Sequence, residues 1–179
     1  MALVSMHRRA WVALLLSCAL GVAHAAEPYT KHNVVLLQPS SVLEARVVSV
    51  DAMAQYIRAV EVAAKEGALA GKSTRSAAGF IVVAVQPGAR SRVWLDFDAA
   101  PTFETSRQLV VKIGAVPPFE VRNGPVVFAL KVGLWGAFES KRIAPSPAEW
   151  KAVTHKAGKQ LEIDELMEQL WQEPSLSPR

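Results

Sequence analysis

A single cysteine, Cys18, stands among 179 residues. It falls within a stretch that reads as a leader, so the exported chain would hold none. Disulfide staples, thiolate metal centres and cysteine nucleophiles are excluded together. Histidine is nearly as scarce: beyond His7 and His24 of the same stretch, only His32 and His155 remain. Neither has a second ligand at helical spacing, so no zinc site is indicated and no metal or cofactor is expected. No Gly-x-Ser-x-Gly nucleophile elbow occurs. Gly67-Ala68-Leu69-Ala70-Gly71-Lys72-Ser73-Thr74 is reminiscent of a phosphate loop, but the first glycine that motif needs is Glu66 here. Charge of one sign is also missing. Of 20 Lys and Arg, Arg8 and Arg9 lie in the leader, leaving 18 against 16 Asp and Glu. A near-neutral balance gives no footprint for nucleic acid.

No apolar run reaches the ~20 residues that a bilayer span needs. The longest, residues 11–22, is interrupted by Ser17, Cys18 and Gly21. It follows Arg8-Arg9 and precedes Ala23-His24-Ala25, the small-x-small pattern of a cleavage site. Residues 1–25 therefore read as a secretory signal peptide cut near Ala25. The expected compartment is the periplasm, with no integral membrane span after cleavage. The remaining ~150 residues are enough for one domain held by its own core.

What the chain does have is aliphatic patterning. Residues 79–86 are almost wholly apolar and rich in β-branched side chains, as suits a strand buried on both faces. Pro87-Gly88 carries type II turn chemistry, and in residues 91–98 Val93, Leu95 and Phe97 alternate with Arg92, Trp94 and Asp96. This is a β-hairpin. Residues 26–33 read as a polar lead-in, with a short strand over Val34-Val35-Leu36-Leu37 before Pro39. Residues 42–50 read as the first firm strand and Asp51 as the N-cap of a helix bearing Met53, Tyr56, Ile57, Val60 and Ala64. A loop over residues 67–78 follows. After the hairpin, Pro101 to Gly114 reads as a second helix, and residues 125–135 as the last strand.

The order is βαββαβ. It predicts an α+β domain over residues 42–136, a two-layer sandwich with both helices on one face of an antiparallel sheet. Ser146-Pro147-Ala148-Glu149 is a capping box, and Trp150, Val153, Ala157, Leu161, Leu166, Met167 and Leu170 continue an apolar stripe. A C-terminal helical arm is expected over residues 144–172, with Gly158 as a break and the stripe docked on its own sheet.

Two constellations could carry chemistry. Asp96 and Asp98 share a face of their strand and could hold a hard cation or act as an acid/base pair. The plainer reading makes Asp98 a helper at the next helix start. Trp135, at a strand end, could stack on a sugar or peptide, though a rim position needs no ligand.

Residues 42–136 resemble the periplasmic C-terminal domain of TonB-like proteins. The resemblance rests on the helix around Tyr56-Ile57, the Gly-Phe-Ile-Val-Val-Ala-Val strand, the hairpin closing in Leu95-Asp96, Val116-Pro117-Pro118-Phe119 and the strand from Pro125. It implies a βαββαβ sandwich whose edge strand pairs with a segment of an outer-membrane transporter. Family members carry an uncleaved anchor and a long proline-rich spacer, whereas here residues 26–41 alone separate the expected signal from the first firm strand. Together these features point to an exported, non-catalytic binding module that adds an envelope protein or peptide to an exposed sheet edge. Val126, Phe128, Leu130, Val132, Leu134 and Trp135 are the expected recognition strand. The alternatives are a periplasmic enzyme with an acidic site at Asp96 and Asp98, or a purely structural envelope protein.

Overall fold

Phe80, Ile81, Val82, Val83, Ala84 and Val85 are six apolar residues in a row, and a strand of that composition has no face to give to water. In the computed structural model, which describes residues 26–172, all six are fully buried. The elements are β1 (Thr30–Leu36), α1 (Ser40–Arg46), α2 (Val50–Ala70), β2 (Ala77–Gln86), β3 (Arg90–Phe97), α3 (Phe103–Gly114), β4 (Val126–Leu134), α4 (Ala148–Ala157) and α5 (Ile163–Gln172). The four described strands form one antiparallel sheet in the order β1-β4-β2-β3. The expected leader lies outside the described residues.

The α+β class and the βαββαβ order hold, and the hairpin is where the sequence puts it. Gly88 has φ +85°, as the second central position of a type II turn requires. Ile81, Val83, Val85, Phe128 and Leu130 face α2 and α3, whose Tyr56, Val60, Ala64, Leu109 and Ile113 complete that core. The opposite face, with Phe80, Val82, Ala84, Trp94, Val127 and Ala129, is covered by α4 and α5 through Trp150, Val153, Leu166, Met167 and Leu170. The arm thus docks on its own sheet and adds a second helical layer.

The first strand, however, is Thr30–Leu36, not residues 42–50. The places beside β4 are taken by β1 and β2, and residues 42–50 join neither outer edge of the sheet. They form α1, which buries Leu43, and reach the extended chain only at an isolated bridge between Val47 and Val121. The cap of α2 is Ser49, whose Oγ accepts from the Ala52 N–H at 3.2 Å; Asp51 sits in the first turn, where its charge suits the helix dipole.

The helix α2 also runs through Gly67 to Ala70, shortening the expected loop. Its glycines explain why. A methyl group at Gly67 would lie 2.9 Å from Leu109 Cα, and one at Gly71 would lie 2.6 Å from Thr105 Cα. The spacing that invites comparison with a phosphate loop is a crossing point, where α3 passes against the bare backbone of α2. The Ser146–Glu149 box does not close either. Pro147 caps α4 without a side-chain bond, and Glu149 Oε2 instead accepts from Trp94 Nε1 at 2.8 Å and Arg92 Nη2 at 3.0 Å.

The N-terminus of α5 is tied to α1 by a fork. Arg46 donates from Nη1 to Asp164 Oδ1 at 2.7 Å and from Nη2 to Oδ2 at 2.6 Å, while Gln38 Nε2 donates to Oδ1 at 3.1 Å. The Arg46 hydrogen bonds hold the Asp164 carboxyl below the usual aspartate range. A carboxyl depressed on folding stabilises above its unfolded value of about 3.9, and that gain is lost as pH falls through the lower folded value. Wild type should therefore exceed Asp164→Asn in stability near pH 6, and the gap should narrow as pH falls below the unfolded value of about 3.9. Urea unfolding of both chains from pH 6 to pH 2 checks this; a gap that does not narrow in acid would contradict it.

Candidate functional site

β4 is not an edge. Its main chain is paired with β1 and β2, and Val126, Phe128, Leu130, Val132 and Leu134 are buried against α2 and α3. No added strand can reach it, so the recognition strand expected there is corrected. The reason lies in the lead-in: Thr30–Leu36, of which the sequence marks only the Val34-Val35-Leu36 end as strand, folds back antiparallel along β4. Trp135, just past the strand, is half-buried with φ +51°, a left-handed backbone that bulky residues rarely adopt. Its carbonyl accepts from Ser76 Oγ at 2.9 Å, and its N–H donates to Pro28 O.

The free edges belong to β1 and β3, and they differ. On β1, Leu37 N donates to Val127 O. Antiparallel pairs alternate, so the Val34 main chain points away from β4. That outward N–H is taken by Asn33 Oδ1 at 2.8 Å, and the ladder is broken by a bulge between Lys31 and Asn33. A capped and bulged strand resists further pairing.

On β3, Asp98 N donates to Ala78 O at 2.8 Å, in the same register that runs unbroken from Gly79↔Phe97 to Gln86↔Arg90. The same alternation turns the main-chain N–H and C=O of Ser91, Val93, Leu95 and Phe97 outward. Among the described residues nothing bonds them. Val93, Leu95 and Phe97 are only half-buried on the core, leaving apolar surface beside these groups. The edge is regular, unblocked and lined with aliphatic and aromatic side chains. Sequence alone could point to a half-buried strand through the alternation of residues 91–97, but could not show that it ends the sheet.

Asp96 and Asp98 are brought together, but around a cation. Arg142 donates from Nη1 to Asp96 Oδ2 at 2.7 Å and from Nε to Asp98 Oδ1 at 2.7 Å. Ser140 Oγ donates to Asp98 Oδ1 at 3.0 Å, and Ser146 N to Asp96 Oδ2 at 2.6 Å. Both carboxylates thus bind the segment between β4 and α4. Neither starts α3, whose cap is Thr102. His155 lines an open groove of about 840 Å³ between α4 and α5, together with Trp150 and Lys159. His32 lies on β1, its Nε2 close to Gly133. Among the described residues no three His, Cys, Asp or Glu gather as metal ligands. No described helix is long and apolar enough to cross a membrane. No family model, curated protein or solved structure matches the chain.

Proposed function

We propose that this protein is an exported, non-catalytic binding module of the cell envelope, which accepts an extended protein or peptide segment as a fifth strand on β3. One observation carries the reading: β3 offers an unbroken row of outward main-chain groups with no partner among the described residues, while β1, the other edge, is capped and bulged. Main-chain hydrogen bonds would supply affinity, and the exposed parts of Val93, Leu95 and Phe97 would select alternate side chains of the ligand. The resemblance to TonB-like domains runs in the same direction, with the edge moved from the last strand to β3.

The test is hydrogen exchange with and without a captured envelope peptide. The amides of Ser91, Val93, Leu95 and Phe97 should exchange quickly in the free protein and become protected on binding. Val93→Pro removes an N–H that the β2–β3 ladder does not use, so the fold should survive and capture should be lost. Undiminished capture by this variant, or bound-state amides that still exchange quickly, would sink the reading.

A further inference from the structure

We infer that the loop of residues 137–144 is a membrane-contact element that sets Phe138, Lys141 and Ile143 into the headgroup region of a bilayer. Phe138 and Ile143 are 93% and 90% exposed, the two most exposed large apolar side chains among the described residues. A flexible loop could bury such groups on itself; this one is held. Arg142 and Ser140 fix it to Asp96 and Asp98, and Glu139 meets Lys131 Nζ at 2.8 Å. A loop ordered in advance loses little entropy when its apolar side chains are covered.

The path of the chain identifies the cover. Gly136 N donates to Glu27 O at 3.1 Å, and Ala26 packs against Gly136. The described chain therefore begins beside this loop, two positions from Phe138. The apolar stretch of residues 11–22 ends only four residues before Ala26. At ~3.5 Å per residue that is a reach of about 14 Å. Before the leader is cut near Ala25, its apolar stretch lies within that reach of this loop. The charges there are mixed: Lys141 is exposed on the loop and Arg75 next to Ser76, whose hydroxyl bonds the Trp135 carbonyl, while of the exposed carboxylates Glu27 and Glu139 the latter is paired with Lys131. Exposed aromatic and aliphatic residues among cations are what an anionic interface takes up.

The full chain carrying Cys18→Ala allows one fluorophore at a time to be placed by Phe138→Cys, Ile143→Cys or Val62→Cys. Val62, 60% exposed on α2, is the control. On vesicles of phosphatidylethanolamine and phosphatidylglycerol, labels at 138 and 143 should shift to the blue and be quenched by spin-labelled acyl chains. The label at 62 should do neither. Adding Lys141→Glu should reduce the shift at 138. The inference is overturned if labels at 138 and 143 stay unshifted, whether the chain floats with the vesicles or not, or if position 62 responds equally. A shift produced only by envelope protein would also overturn it, assigning the loop to a protein partner.

Discussion

Phe128→Ala should lower the unfolding free energy by about 3–5 kcal/mol, the range for emptying a fully buried phenylalanine site. Phe128 is 0% exposed at the centre of β4 and meets the Tyr56 ring edge-on at 6.2 Å. Tyr56 in turn packs on Phe119 at 5.5 Å, so the cavity would open among aromatic rings fixed by sheet and helix, with little freedom to collapse. For a domain with a total stability of about 5–15 kcal/mol, that loss is severe. The result also separates two roles for the residue. As a recognition side chain, Phe128 would lose affinity and keep its fold; as a core residue it loses its fold first. Urea unfolding followed by circular dichroism decides, and a loss under about 1 kcal/mol would contradict the packing described here.

Ending the chain at residue 143 should cost still more. It strips the second helical layer from the sheet, exposing Phe80, Val82, Ala84, Trp94, Val127 and Ala129 together. Six large side chains that leave water on this face, among them Trp150, Met167 and Leu170, go with it. Each buried apolar side chain of that size contributes about 1.5–3 kcal/mol before the cost of ordering the arm. Trp94 would lose its edge-on contacts with Trp150 at 5.5 Å and Trp171 at 6.3 Å, and its indole N–H would lose Glu149. Arg46 would lose Asp164. The truncated chain should bind a hydrophobic dye and melt without a cooperative transition. A sharp melt within a few degrees of the full chain would show that the arm is an accessory, not a layer of the core.

Both predictions concern elements that the sequence brought into view incompletely. The stripe of the arm was legible because helical periodicity survives in any context. That Glu149 would abandon its capping box was not, since the competing donors, Trp94 and Arg92, lie more than 50 positions away. The mistaken strand at residues 42–50 has the same origin. Its β-branched residues favour extension, yet a strand needs a neighbour, and this segment meets extended chain only at the Val47–Val121 bridge, away from the sheet. The candidate site shows the limit most directly. Alternation in residues 91–97 marks a half-buried strand, and Asp96 with Asp98 marks a polar end. Whether that strand is interior or edge, and whether those carboxylates stand free or clasp Arg142, depends on partners from 40 or more residues onward.

By itself the sequence determined the α+β class, the βαββαβ order, the central hairpin and the docking arm, because periodicity and turn chemistry are local and report which side of an element meets water. Only the tertiary structure decided which strands close the sheet, since main-chain pairing is blind to side-chain identity and a polar segment such as Thr30–Leu36 can take an edge as well as an apolar one. It also decided the partners of Asp96, Asp98 and Glu149, because a charged group settles on whichever donor the folded chain brings within reach.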